Sequence, residues 1–307
     1  MSTVSELKIP FKDGFTWVRV TSPDNNEQGA LPLVILHGGP GFCHNYLLPL
    51  ERLADATGRV VVHYDQYGCG NSTHPTGVDE DFWTPALFVE ELQNVLKALD
   101  IDACHVLGQS WGGMLAAEVG IAGVEQVKSL AICNSPASME LWMQAARELK
   151  KQLPAEVQET MAKYEETGDY GAPEYQAATQ VYDDHFVLRV PGGHPAYEAS
   201  KQAVEADPTV YNTMNGPNEF HVVGTLREWS VVGKLDAISV PTLVLAGEFD
   251  EAQPITWEPF VEEIPSARAV VIPGASHCCH LEFSELFDAE IIKFLNQVEN
   301  NEGDPQS

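Results

Sequence analysis

The stretch Ala103–Ala117, ACHVLGQSWGGMLAA, decides how the rest of the chain is read. An apolar run at Val106 and Leu107 stops at Gly108-Gln109-Ser110-Trp111-Gly112, and a helix-like run follows (Gly113, Met114, Leu115, Ala116, Ala117). Strand, sharp turn and helix form the context that a G-x-S-x-G nucleophile elbow requires. Such a turn strains the serine backbone, so the residues two before and two after it must be small, as Gly108 and Gly112 are. Ser110 is expected to project its hydroxyl from the C-terminal edge of a sheet, at a helix N-terminus that favours developing negative charge. With glycine at about 7% of residues, composition alone yields such a motif in roughly one chain of this length in ten. The motif needs partners before it carries a function.

Outward from the elbow, the chain alternates apolar runs with turns and helices. Leu33–Leu36 (LVIL) ends at His37-Gly38-Gly39-Pro40-Gly41, and Val60–Tyr64 ends at Asp65-Gln66-Tyr67-Gly68-Cys69-Gly70-Asn71-Ser72. Phe15–Val20 predicts an opening strand, with a turn from Ser22 to Asn26. Thr84 and Pro85 predict a helix start, and Phe88, Leu92, Val95, Leu96 and Leu99 share one face of that helix. Ser129–Cys133 predicts the strand after the elbow. Strands that are apolar throughout and separated by helices mean a parallel sheet covered on both faces.

From about Ser135 to about Leu235 the pattern becomes helical, amphipathic and rich in Glu, Lys and Gln, which predicts an inserted lid or cap. The βα rhythm returns with Pro241–Ala246, which ends at Gly247-Glu248-Phe249-Asp250-Glu251, and with Arg268–Ile272, which ends at Pro273-Gly274-Ala275-Ser276-His277. A last helix around Leu286–Val298 leads into Glu299–Ser307, expected to be disordered. The expected division is an α/β core in residues 1–134 and 236–307 with a helical cap at 135–235.

Composition bounds the function. A chain of 307 residues suits one large α/β domain with an insertion, and 44% hydrophobic with 20% charged residues is an ordinary globular balance. The balance 17 − 45 = −28 would repel nucleic acid and anionic membranes, so neither is an expected partner, and it mildly favours cationic substrates. The N-terminal MSTVSELKIPFKDG has no basic region before an apolar core, and no run has membrane-spanning length, so a cytoplasmic location is expected. The six cysteines form no CxxC pair, which fits free thiols in a reducing compartment. His277-Cys278-Cys279-His280 holds four metal-ligand types in a row, but four adjacent residues cannot all face one tetrahedral ion. No metal or other cofactor is expected. Oligomeric state is left open, with a monomer compatible.

A serine hydroxyl is a poor nucleophile until a histidine accepts its proton and a carboxylate orients that histidine. Asp250 and His277 both follow late strands, where catalytic groups of such sheets collect, and the chain order Ser, Asp, His is the one found on α/β-hydrolase scaffolds. Singly, Asp250 reads as a turn residue or cap and His277 as a loop histidine; their joint placement with Ser110 is what carries the triad. The oxyanion hole needs two backbone N–H donors, and these are assigned to Trp111 and to Gly39 in HGGPG.

HGGPG, DQYGCGNS, GQSWGG, GEFDE and GASH, in this order and with a helical insertion, resemble the proline iminopeptidase family of α/β-hydrolases, in particular its L-proline amide and amino-acid amide hydrolases. STHPTGVDEDFWT, CNSPAS, DPTVYNTMNGPNEF and LREWSVVGKLDAISVPTLVLAG extend the resemblance over most of the chain. It implies Ser110 as nucleophile, His277 as general base and Asp250 as its orienting acid. It also implies that Glu219, in GPNEF, and Glu251, beside Asp250, bind the free α-amino group of a small amino-acyl amide or short peptide. A cationic amine entering a partly desolvated pocket needs such carboxylates. Read without the resemblance, Glu219 is a helix-end residue and Glu251 a solvated neighbour. Many members carry arginine where this chain has Tyr67, which leans towards the amide-hydrolase branch. Trp142, Tyr182, Trp229 and Trp257 could wall a proline-sized pocket, and Cys69, Cys278 and Cys279 could flank the site. Rival readings are an esterase, lactonase or biosynthetic hydrolase with the same triad, and a non-catalytic ligand receptor on the same scaffold.

Overall fold

The apolar runs on either side of the elbow become the buried middle of one eight-stranded sheet. The structure is a computed structural model that describes residues 2–24 and 30–302. Its strands are β1 (Thr3–Phe11), β2 (Gly14–Ser22), β3 (Leu33–Leu36), β4 (Val61–Asp65), β5 (Cys104–Gln109), β6 (Val127–Cys133), β7 (Thr242–Gly247) and β8 (Ala267–Ile272). They lie in the order β1-β2-β4-β3-β5-β6-β7-β8. From β4 to β8 every pairing is parallel, while β1 pairs with β2 and β2 with β4 antiparallel. Every residue of β3, β4, β5 and β7 is buried, as strands covered on both faces must be.

Between β3 and β6 run α1 (Arg52–Thr57), α2 (Pro85–Ala98) and α3 (Trp111–Ile121). Thr84 caps α2 as its sequence predicts, its side chain accepting from the Leu87 N–H, with Pro85 in the first turn. Between β6 and β7 come α4 (Met139–Lys150), α5 (Ala155–Thr167), α6 (Pro173–Phe186), α7 (Pro195–Ala206) and α8 (Thr209–Met214), with no strand among the described residues of this stretch. After β7 follow α9 (Pro254–Glu263), α10 (Cys279–Glu282) and α11 (Ser284–Glu302). One apolar cluster joins a sheet face to α2, α3 and α9, and a second joins the other face to α1 and α11. A third, with Leu149, Met161, Tyr175, Tyr182 and Phe220, is drawn only from residues between β6 and β7. Among the described residues no helix is long and apolar enough to cross a membrane.

Two expectations change. β1 is absent from the sequence reading because TVSELKIPF is an edge strand with most of its residues exposed; its pairing with β2 defines it, not a buried run. The chain beyond Val298 is not simply a tail, since α11 continues to Glu302. The Glu299 carboxylate accepts from the Leu31 N–H and from Arg59, which anchors the helix end to the core. Residues 303–307 of the expected tail, and the predicted turn beyond Asp24, lie outside the described residues.

Candidate active site

Ser110 sits between β5 and α3 with φ 58° and ψ −124°, a left-handed conformation that costs a non-glycine residue of order 1–3 kcal/mol. The flanking glycines are steric necessities. A Cβ on Gly108 would lie 1.9 Å from the Gly112 carbonyl oxygen, and one on Gly112 would lie 2.0 Å from that of Leu36. The Ser110 N–H is anchored to the Cys133 carbonyl at 2.9 Å. Its hydroxyl has no hydrogen-bond partner among the described residues and faces a cavity.

The ends of β7 and β8 bring Asp250 and His277 together, with His277 on the cavity wall and Asp250 fully buried. His277 Nδ1 lies 2.7 Å from Asp250 Oδ1. That oxygen also accepts from the Ala252 N–H at 2.8 Å, and Oδ2 accepts from Asn134 Nδ2 at 2.6 Å and the Gly247 N–H at 3.3 Å. Four donors around a fully buried carboxylate hold it fixed, and it in turn fixes the imidazole. His277 lines the cavity with Ser110, leaving Nε2 on the side away from Asp250.

Gly39 and Trp111 also border Ser110, and among the described residues neither N–H donates to a protein acceptor. Two such donors beside a nucleophile are what an oxyanion hole requires.

Two cavities meet at Gly39, Ser110 and Glu219. One is apolar, with Pro136, Met139, Trp142 and Leu226 in its wall. The other is acidic. Glu251 is buried there with neither carboxylate oxygen in a hydrogen bond of regular geometry; the buried Tyr182 hydroxyl is a polar neighbour, and Glu251 Oε1 lies 3.8 Å from His277 Nε2. Burial, then the charges of Glu219 and Asp250, push the Glu251 carboxyl well above its ordinary range. Glu219 accepts from the Tyr211 hydroxyl at 2.6 Å, and burial raises its carboxyl too. Two desolvated carboxylates with so few donors have the chemistry that a cation-binding site requires.

The profile of the alpha/beta hydrolase fold family matches residues 32–284. The proline iminopeptidase of Heyndrickxia coagulans is 37% identical over 292 residues, which cover 94% of this chain and 100% of that one. This chain belongs to the proline iminopeptidase family of α/β-hydrolases. The crystal structure of the Mycobacterium smegmatis proline iminopeptidase is similar at 52% identity and a TM-score of 0.93, with 97% of this chain and 99% of that chain covered. The crystal structure of VinJ is similar at 43% identity and a TM-score of 0.92, covering 96% and 99%.

Against this family background, some expected residues turn out to be packing. Of the four aromatics, Trp142 alone lines a cavity at Ser110; its ring meets that of His277 edge-on and its indole N–H donates to the Glu219 carbonyl at 2.6 Å. Tyr182 packs on Phe186 and Phe220, Trp229 donates to Glu118, and Trp257 packs against the core. Tyr67 is buried against Phe11, donates to Asp13 and lines neither cavity, so it does not touch the space where a substrate would sit. Cys278 lines the acidic cavity, Cys279 lies 3.1 Å from Asn134 Nδ2, and Cys69 is buried elsewhere in the core. All six cysteines are buried free thiols.

Other site residues escape the sequence reading. Asn134, at φ 51°, sits in the quoted stretch CNSPAS, and Tyr211 in DPTVYNTMNGPNEF, yet their partners Asp250 and Glu219 are settled only by the folded chain path. Tyr46 and Tyr197 of the cavity wall carry no motif at all.

Proposed function

We propose that this protein is a cytosolic serine hydrolase that removes an unblocked N-terminal amino-acyl group, preferably prolyl, from an amide or short peptide. The observation that carries the reading is Glu251, a buried carboxylate with no regular hydrogen bond and only the Tyr182 hydroxyl as a neighbouring donor, in the cavity that Ser110, His277 and Glu219 line. An orphaned buried acid is costly, and a substrate ammonium removes that cost. Residues 135–235 act as a cap, since Trp142 and Glu219 come from that stretch.

In the reaction, His277 Nε2 takes the Ser110 hydroxyl proton as Oγ bonds to the substrate carbonyl carbon. The carbonyl oxygen becomes an oxyanion, received by the Gly39 and Trp111 N–H groups. The carbon–nitrogen bond then breaks, and His277 delivers its proton to the leaving amine. Water attacks the acyl-enzyme, gives its proton to His277, and restores the serine. Glu219 and Glu251 hold the ammonium so that the carbonyl stands over Ser110.

The decisive experiment compares prolinamide, Pro-Gly dipeptide and N-acetylprolinamide on wild type, Ser110→Ala and Glu219→Gln. The reading expects turnover of the first two, rejection of the acetylated amide and no turnover by Ser110→Ala. Equal turnover of blocked and unblocked amides would return the choice to an esterase or lactonase. Binding without turnover of any amide or ester would favour the receptor.

A further inference from the structure

The oxyanion loop and the elbow come from β3 and β5, and two backbone N–H groups from different loops form a hole only if those loops are held in fixed relation. The structure shows how they are held. Gln66, in the turn after β4, is 1% exposed and touches both. Its backbone N–H donates to His37 Nε2 at 2.9 Å, and its side-chain Nε2 donates to the His37 carbonyl at 2.8 Å. Its Oε1 accepts from the indole N–H of Trp111 at 2.8 Å.

Elementary donor and acceptor chemistry fixes this arrangement. An indole N–H only donates and a carbonyl oxygen only accepts, so the Gln66 amide has one permitted orientation. The Gln66 N–H requires an unprotonated His37 Nε2, which places the ring hydrogen on Nδ1, where it donates to the Gly38 carbonyl at 3.0 Å. Burial pushes the His37 imidazole down to about 4, so this tautomer persists through neutral pH. One glutamine thus grips the residue two before Gly39 at two points and the residue after Ser110 at a third. A glutamate would set a carboxylate against the His37 carbonyl, and an apolar side chain would orphan two buried groups.

We infer that Gln66 is a positioning residue of the oxyanion hole, holding the Gly39 loop and the Trp111 end of the elbow at the separation that a tetrahedral intermediate needs. This rests on the serine hydrolase reading above. Gln66 touches no reacting atom and acts through His37 and Trp111. Its contribution therefore falls on the transition state and leaves ground-state binding of the amine unchanged.

Gln66→Met keeps the side-chain length and removes the amide. Turnover of prolinamide is measured per active site titrated with a phosphonofluoridate, together with the affinity for a prolyl boronate and for free proline. The inference expects kcat to fall by roughly 10- to 100-fold with KM within about threefold. Boronate affinity falls by the same factor as kcat/KM, and proline affinity holds. Trp111→Phe breaks the same bridge from the other side and keeps the backbone N–H, so it carries the same expectation if Gln66→Met does not fold. The double variant loses no more than the worse single one, because both remove one link. Unchanged kcat per active site and unchanged boronate affinity in either folded variant would overturn the inference. Wild type that turns over no amide would instead remove the hydrolase reading, which keeps the two failures apart.

Discussion

The two ends of the acidic cavity follow opposite electrostatic plans. At the catalytic end, polar groups are densely hydrogen-bonded: Asp250 receives four donors, Gln66 makes two side-chain hydrogen bonds and one from its backbone N–H, and the Tyr46 hydroxyl accepts from the Gly38 N–H and donates to Gln109. Gln109 in turn donates to the His277 carbonyl. What stays free there, among the described residues, includes the Ser110 hydroxyl, the N–H groups of Gly39 and Trp111, and the Asn134 side-chain oxygen. At the amine end the reverse holds, with Glu251 in no regular hydrogen bond and Glu219 holding one. A saturated network is rigid and sets geometry before substrate arrives. An unsaturated acidic one is completed only by a ligand that brings positive charge. The contrast assigns chemistry to one end and selection to the other.

The largest effect should come from breaking the saturated end. Asp250→Asn places an amide NH2 among donors that need an acceptor, so the His277 tautomer is lost, and kcat should drop by about 10⁴-fold with KM little changed. Steady-state kinetics beside a thermal melt test this; a loss below tenfold in a folded variant would remove Asp250 from the triad. Breaking the unsaturated end should act on selection. Glu251→Gln should lower kcat/KM for prolinamide by roughly 10²-fold, as loss of a buried charge partner costs about 2–5 kcal/mol. N-acetylprolinamide should show no comparable loss, and equal losses on both amides would dissociate Glu251 from amine binding.

The same carboxylates predict a pH signature. Burial raises the folded-state titration of both, so their protonated forms persist to higher pH than those of exposed carboxylates, and an ammonium binds the ionised form. Substrate binding should therefore release protons, and KM should fall as pH rises until the amine itself deprotonates. Calorimetry in buffers of different ionisation enthalpy reads this release directly. Glu251→Gln should diminish it, and a release equal to that of wild type would contradict the assignment.

Glu91 sharpens the contrast, because it is buried as deeply yet has donors and faces no substrate cavity. It accepts from the Thr16 hydroxyl at 2.5 Å and the Tyr67 N–H at 3.0 Å, and burial pushes its carboxyl up to about 8. The folded state thus keeps a proton that the unfolded chain gives up above about 4.5. Stability from Glu91 is complete below pH 4.5, falls as pH rises to about 8, and is then level. At about 1.4 kcal/mol per pH unit the ceiling is about 5 kcal/mol. Glu91→Gln should accordingly stabilise the protein at pH 9 and change little at pH 5, with KM unaltered at both. An equal change in melting temperature at the two pH values would show that ionisation is not the cause.

How much of this was legible follows from where each signal resides. Buried parallel strands announce themselves as unbroken apolar runs, and the elbow by glycines that sterics demand, so β3 to β7 and Ser110 could be read directly, while β8 showed its apolar run although it is a half-exposed edge strand. Asp250 and His277 were readable because strand ends gather catalytic groups. β1 was not, since an exposed edge strand owes its existence to its neighbour. Gln66, Asn134 and Tyr211 were not readable as site residues either. An amide or hydroxyl acquires its role from a partner 45, 116 or 8 residues away, and that pairing exists only after folding. Glu251 is the intermediate case: its position beside Asp250 was visible, but its burial without a regular hydrogen bond was not.

Trp142 offers the finest probe of the boundary between the two ends, since its ring meets His277 while its N–H holds the Glu219 backbone. Trp142→Phe keeps an aromatic ring there and removes the indole N–H together with the pyrrole part of the ring system. The Glu219 carbonyl then loses one hydrogen bond worth about 1 kcal/mol, so KM for prolinamide should rise about three- to tenfold with kcat within twofold. Trp229→Phe makes the same chemical change where the indole N–H meets Glu118 at 2.7 Å, and it should leave both constants near wild type. If both variants raise KM alike, the effect is general loosening of the fold. If Trp142→Phe lowers kcat instead, the ring contact with His277 is the part that matters, and the boundary between selection and chemistry runs on the other side of Trp142.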